Sequence, residues 1–311
     1  MEKQHVVVTG GASGLGWGCV TQFHRLGYDI TIADLNLAGA QRVIEQLQQH
    51  GGSATRLHAE ALDLADPASV TAFAMRMRER GDAIDVLVNN AGIYPPARRV
   101  VTPDGHELTF AIAHLGHFRL THALWPLLAQ AKAARVVSVS SMVQRHARLD
   151  LDDLASTRAY EPIIAYQRAK LSCLLFALEL QRRLSAAGSA ITSYAAHPGV
   201  CRTQLGRNRQ RSEQDNLFQR FATAILGGGL RYVGQSPENG AMPVVSAATS
   251  NRFAPGSLVG PRWLLESFGA PAVSRLGAAA RDPALARDLW ARSEAITGLQ
   301  WQIENTNSAA Q

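Results

Sequence analysis

The stretch His5-Val-Val-Val-Thr9-Gly10-Gly-Ala-Ser-Gly14-Leu-Gly16 decides the fold. An apolar, β-branched run stops at a turn with glycines at 10, 14 and 16, and a helix begins near Ser13. Glycine reaches positive φ and carries no Cβ, so backbone can pass close to a bulky neighbour. A helix starting there aims unpaired N–H groups and its positive dipole end at an anion. Strand, turn and helix N-terminus together suit a pyrophosphate, although a tight strand-to-helix turn also arises for packing alone.

Outward from the turn, a helix over 14–26 ends at Gly27, and Tyr28-Asp-Ile-Thr-Ile-Ala33 reads as a second buried strand closing on Asp34. That acid stands eighteen residues beyond Gly16. A Rossmann unit places there the carboxylate that binds the adenosine ribose and repels a 2′-phosphate. NAD(H) is thereby favoured over NADP(H), and no Lys or Arg stands at Gly11, Leu35 or Asn36 to receive the extra phosphate. The competing reading makes Asp34 the cap of a helix over 37–50.

The alternation continues without a break. A strand over 55–62 leads to Asp63-Leu64, Asp66-Pro67 opens a helix over 68–80, and a strand over 84–89 ends at Asn89-Asn90-Ala91-Gly92, whose small residues let backbone approach a ligand. Helix 109–131, strand 134–140, helix 163–187 and strand 190–197 follow. This rhythm predicts an α/β, doubly wound Rossmann fold: a parallel sheet of about seven strands, helices on both faces, ligands at the carboxyl edge. From Gln204 the rhythm fails until a helix over 282–296 and a polar tail over 305–311. Residues 204–311 therefore read as a variable substrate-loop and C-terminal extension of one catalytic domain spanning 1–311.

With 311 residues, 46% hydrophobic and 18% charged, the chain can bury one large core. No apolar run approaches the roughly 20 residues of a membrane span, and Met1 leads directly into a strand, so a cytoplasmic setting is expected. Cys19, Cys173 and Cys201 are widely spaced, as packing residues in a reducing compartment are. The net charge of +6 is spread over helices, which speaks against a nucleic-acid footprint. One concentration, Arg202, Arg207, Arg209 and Arg211, suits an anionic substrate group, acidic lipid or carrier protein, and the neighbouring stretch 222–230 suits peripheral membrane contact. His114, His117 and His122 share a helical spacing, but no acid or cysteine joins them, so packing or hydrogen bonding is expected rather than a metal. His146 is a candidate to face substrate or solvent.

Tyr166 and Lys170 stand four apart on one helix face, where an ammonium stabilises a phenolate. A tyrosine so placed can pass a proton at neutral pH, and a serine from Ser140-Ser141 can polarise the same carbonyl oxygen. Taken in order, Thr9-Gly-x-x-x-Gly14-x-Gly16, Asp63-Leu64, Asn89-Asn-Ala-Gly92, Ser141, Tyr166-x-x-x-Lys170 and His197-Pro-Gly-Val200 resemble the short-chain dehydrogenase/reductase family. His114-Leu-Gly-His-Phe118, Glu179-Leu-Gln-Arg-Arg-Leu184 and Leu289-Trp-Ala-Arg-Ser-Glu294 extend the resemblance to its retinol-dehydrogenase-like branch.

The resemblance implies a carbonyl reductase or alcohol dehydrogenase for a fairly large apolar substrate. Tyr166 would be the acid/base, Lys170 would bind the nicotinamide ribose, and Ser141 would hold the substrate oxygen. Gly10, Ser13, Gly14, Leu15, Gly16, Asp34, Asp63, Leu64, Asn90, Ala91, Gly92, Pro198, Gly199, Val200 and Thr203 would line the dinucleotide. A homo-oligomer, dimer or tetramer, is implied too. An insert over 144–161 separates Ser141 from Tyr166, as in the retinol-dehydrogenase branch. Two departures stand out. The family's asparagine directly before the His-Leu-Gly-His-Phe run is Ala113 here, so its helix-kinking, water-holding role is expected to be vacant. That departure admits a second reading, a cofactor-binding protein without catalysis. The other is Asp34, because the branch often carries a basic residue near there and uses NADP.

Overall fold

A computed structural model describes residues 3–49, 55–201 and 234–303. Strands β1 (His5–Thr9), β2 (Asp29–Asp34), β3 (Leu57–Ala61), β4 (Val86–Asn89), β5 (Arg135–Val139), β6 (Thr192–Ala196), β7 (Leu258–Trp263) and β8 (Phe268–Val273) form one sheet, in the order β3-β2-β1-β4-β5-β6-β7-β8. The first seven run parallel, and β8 returns antiparallel to β7. The expected parallel sheet is present with one strand added, because a short turn lets β7 fold straight back on itself. Strand order reverses between β1 and β4, which opens a crevice at their carboxyl ends.

Along β1 the side chains alternate between the two faces, as the pleat requires. Val6 and Val8 enter a core with Leu15, Val20 and Phe23 of α1 (Gly14–Arg25) and Val43 and Ile44 of α2 (Leu37–Gln49). Val7 enters the opposite core with Phe73 and Met77 of α3 (Pro67–Arg80). Helix α3 starts where Asp66 and Pro67 indicated, with the Asp66 carboxylate accepting the Ala68 N–H at 2.9 Å. Its end at Gly81 is left-handed, φ 70°.

The helix expected over 109–131 is broken. It comprises α4 (Leu108–Phe110), a π-helical turn (Ala111–Gly116), α5 (His117–Ala123) and α6 (Trp125–Gln130). Pro126 in the first turn of α6 lacks the N–H that would continue α5. The π-turn is held from outside: the Ala113 carbonyl accepts bonds from His117 Nδ1 at 3.0 Å and Cys173 Sγ at 3.1 Å. Gly116 meanwhile lies so close to the Leu64 carbonyl that a Cβ would stand 2.5 Å away. The bend assigned to the family's asparagine therefore forms around an alanine.

After β5, a 3₁₀ turn (Met142–His146) and the insert lead to α7 (Pro162–Ala186), the longest described helix. The region beyond Gln204, where the sequence rhythm failed, contains α8 (Pro237–Thr249) besides β7 and β8. Helix α8 lies against α1 so closely that a Cβ on Gly18 would come within 2.2 Å of the Pro237 carbonyl. The closing helix α9 (Pro283–Thr297) packs on α7 through Trp290, which meets Phe118 edge-on at 5.1 Å, stacks on Phe176 at 5.7 Å and touches Trp301 at 5.0 Å. No described helix is long and apolar enough to cross a membrane.

Candidate active site

The carboxyl ends of β1, β2, β4, β5 and β6 meet at one edge of the sheet, and the sequence motifs end there together. Thr9 is the hub. Its Oγ1 accepts the N–H groups of Asn90 at 2.9 Å and Ala91 at 3.0 Å, and it pairs with His117 Nε2 at 2.9 Å. A carbonyl can only accept, so His117 carries its proton on Nδ1 toward Ala113 and receives the Thr9 hydroxyl at Nε2. Burial pushes the His117 pKa down to about 4, which keeps the ring neutral and this hydrogen-bond order intact at neutral pH. His114 is likewise buried, with its pKa pushed down to about 3, and bonds Ser293 of α9 at 2.7 Å; His122 meets the Gln300 carbonyl at 3.2 Å. Among the described residues no cluster of His, Cys, Asp or Glu could hold a metal. His146 is exposed.

The glycine turn owes part of its composition to the protein itself. Gly10 adopts φ +67° and its N–H reaches the Ala33 carbonyl at 2.8 Å; Asn90 Nδ2 donates to the Thr9 carbonyl at 2.7 Å. A Cβ on Gly16 would stand 2.0 Å from the Gly10 carbonyl oxygen, so packing demands that glycine. What packing leaves over is the start of α1: Ser13 precedes it exposed, and its hydroxyl caps none of the first-turn N–H groups, so a bound anion could take that place. Leu15 is buried in the core.

Asp34 does not cap α2. Asn36 does, accepting the Gly39 N–H at 3.0 Å. Instead Asp34 takes the Ala12 N–H at 2.9 Å on one oxygen and the Asn36 N–H at 2.8 Å on the other, which fixes the carboxylate against the glycine turn. Asp63 accepts the Ala65 N–H at 2.8 Å ahead of α3, and Leu64 is buried under the π-turn.

Tyr166 and Lys170 project from the first turns of α7. The Lys170 ammonium is buried, donates to the Val139 carbonyl at 3.0 Å and lies 3.4 Å from where a Cβ on Gly92 would stand. Ser140 is spent on structure: it is buried and donates to the Lys170 carbonyl at 2.8 Å. Ser141 is half-buried, and its Oγ accepts a long 3.5 Å contact from Val143 N–H as the cap of the 3₁₀ turn. The Tyr166 ring tilts against Tyr94 at 5.7 Å. Tyr94 escaped the sequence reading because it follows Asn89-Asn-Ala-Gly92 with no periodic signal; its place comes from the insert, where Tyr160 Oη donates to the Pro96 carbonyl at 2.8 Å.

Pro198, Gly199 and Val200 follow β6 and are pinned by the turn between β7 and β8. Val200 N–H donates to the Ser267 carbonyl at 3.0 Å, and Gly199 N–H meets His197 Nδ1 at 3.2 Å. His197 Nε2 faces Ser274 Oγ at 2.9 Å and Glu266 Oε2 at 3.2 Å, with Arg145 paired to the same carboxylate. Burial works to raise the Glu266 pKa, but hydrogen bonds from His197, the Arg275 N–H and Ser274, with the charge of Arg145, hold it at about 2. A carboxyl depressed below its ordinary 4.5 contributes stability that is complete above that value and is lost as pH falls toward 2. Glu266→Gln is expected to cost about 2 kcal/mol at neutral pH and to flatten the acid limb of thermal unfolding measured against pH. An unchanged acid limb would remove Glu266 as the lock on this loop. Thr203 and the arginines at 202, 207, 209 and 211 lie outside the described residues.

Residues 4–214 match the sequence profile of short chain dehydrogenase. Over 94% of its length the chain is 37% identical to a polyprenol dehydrogenase of Mus musculus, covering 83% of that protein. It is 33% identical to retinol dehydrogenase 13 of Homo sapiens over 95% of its own length and 85% of the relative's. The crystal structure of an uncharacterized protein from Mycobacterium paratuberculosis superposes with a TM-score of 0.75, at 33% identity, over 97% of this chain and 96% of that one. The chain is an oxidoreductase and belongs to the short-chain dehydrogenase family.

Proposed function

We propose that the protein interconverts a carbonyl and an alcohol on a fairly large apolar substrate, using NAD(H), with Tyr166 as the acid/base. One observation carries this reading: Lys170 is anchored beside Gly92 on the carbonyl of Val139, two residues before Ser141 in the chain, and stands one helical turn from Tyr166. The names of the relatives, polyprenol and retinol dehydrogenases, support an apolar substrate, as does the Tyr94 ring against Tyr166.

The residues present fit a dinucleotide. The uncapped start of α1 would receive the pyrophosphate, Asp34 has lone pairs left for ribose hydroxyls, and Asn90, Ala91, Gly92, Pro198, Gly199 and Val200 would flank the nicotinamide half. The chemistry that a bound nicotinamide supplies is hydride transfer. The rest falls to the chain. The Tyr166 hydroxyl gives its proton to the carbonyl oxygen in reduction and takes one back in oxidation. Ser141, whose hydroxyl proton no described residue receives, donates to the same oxygen and holds developing negative charge. The Lys170 ammonium stabilises the phenolate left on Tyr166.

Retention of the π-turn at Ala113 supports an enzyme over a cofactor sensor, since the bend lost with the asparagine is supplied by His117 and Cys173. The test is a fluorescence titration of NADH and NADPH into the protein, followed by apolar ketones and alcohols. The expected result is tighter binding of NADH, with turnover. Asp34→Asn is expected to shift the NADH-to-NADPH preference by at least about tenfold toward NADPH, as loss of one repelled charge allows. Equal preference in wild type and variant would refute the role of Asp34.

A further inference from the structure

The turn joining β7 to β8 carries a run that the oxidoreductase chemistry does not use. Trp263, Leu264 and Leu265 are 61%, 73% and 87% exposed, three large apolar residues in succession. Leu264, Leu265 and Glu266 all hold left-handed backbone, with φ of 48°, 56° and 69°, a region that ordinary L-residues rarely occupy because the Cβ crowds the following carbonyl. The conformation is enforced. Ser267 N–H closes the turn on the Trp263 carbonyl at 2.9 Å, the Ser267 carbonyl accepts Val200 N–H and Gln235 Nε2 at 3.0 Å each, and the Glu266 carboxylate is drawn inward to His197 and Arg145. The Trp263 indole lies over Gly269, where a Cβ would come within 2.7 Å of the ring. The fold thus spends strain to keep two leucines in water.

We infer that this turn is a membrane-docking wedge for the surface of an anionic lipid bilayer. Charge complementarity selects that occupant. The only acid of the turn, Glu266, is consumed by Arg145 and His197, while Arg262 and Arg275 flank the apolar tip and are exposed. Leucines at the acyl boundary, an indole at headgroup level and arginines at lipid phosphates match an interface. A second copy of this chain fits less well, because three exposed side chains at one turn fall far short of the roughly 800 Å² per partner that a stable dimer buries. The same turn grips Gly199 and Val200, so docking seats the carboxyl edge of the sheet on the bilayer, where an apolar substrate partitions. That last consequence rests on the proposed function; the docking does not.

The test is co-sedimentation of the whole chain with vesicles of phosphatidylcholine alone and of phosphatidylcholine with phosphatidylglycerol, without any turnover assay. Binding to the anionic vesicles with a blue shift of tryptophan emission that Trp263→Phe removes is expected. Leu264→Asn with Leu265→Asn is expected to weaken binding at least about tenfold, because two leucines no longer leave water. Asparagine tolerates left-handed backbone, so the double variant keeps its thermal transition. A folded wild type that pellets with neither vesicle overturns the proposal. So does a double variant that binds as wild type does, which assigns binding elsewhere on the chain. A dimer in sedimentation velocity that the double variant dissociates also overturns it, in favour of a second copy.

Discussion

Tyr166→Phe is expected to lower kcat by about 10²- to 10⁴-fold while leaving NADH affinity and the thermal transition nearly unchanged. The change deletes one oxygen. The ring keeps its tilted contact with Tyr94 and its place on α7, and Lys170 stays bound to the Val139 carbonyl, so the site keeps its shape. What disappears, on the proposed function, is the proton that the carbonyl oxygen would receive. A kcat loss with equal loss in kcat/KM is the signature of an interaction made in the transition state. Steady-state kinetics with any apolar ketone that turns over will show it. Turnover equal to wild type would transfer the acid/base role away from Tyr166 and remove the carrying observation of the proposed function.

Trp290→Ala is expected to destabilise the fold by about 3–5 kcal/mol, the usual cost of deleting a buried indole. Trp290 is 2% exposed and closes an aromatic cluster whose members come from four separate segments: Phe118 of α5, Phe176 of α7, Trp290 of α9 and Trp301 beyond it. The Arg183 guanidinium sits 4.4 Å over the same ring, and truncation strips that contact as well. Circular dichroism should show the thermal midpoint fall by about 10 °C. The loss will be felt at the site too, because Ser293, on the next turn of α9, holds His114 in the π-turn behind Lys170. A variant within about 0.5 kcal/mol of wild type would show that α9 contributes no core.

Short-range signals were enough for the front two thirds of the fold. A strand such as Val6-Val7-Val8 is buried on both faces and shows as a continuous apolar run, a cap such as Asp66-Pro67 acts within three residues, and an i,i+4 pair such as Tyr166 and Lys170 shares a helix face by geometry alone. The glycine turn and the acid ending β2 were legible for the same reason: each states its own backbone requirement or end-of-strand position locally. The choice of Ser141 over Ser140 rested on resemblance, and the structure adds a reason, since Ser140 is consumed by the Lys170 carbonyl.

Other features depend on partners far away in sequence. Strand β8 contains Gly269 and Pro271, and β7 contains Pro261, so neither has a local strand signal; their pairing, Pro261 opposite Pro271, exists because the turn at 264–267 is clamped by Val200, Gln235 and His197. Helix α8 carries an internal Pro243 and is stabilised by its approach to Gly18 of α1. The bend at Ala113 is made by His117, Cys173 and the Leu64 carbonyl rather than by the residue at its centre. Sequence alone determined the strand-turn-helix frame and the Tyr166/Lys170 pair, because propensity, capping and periodicity act over a few residues. Tertiary structure decided the π-turn, the eighth strand, the role of Glu266 and the exposed leucines, because each is a local cost met by contacts tens of residues away.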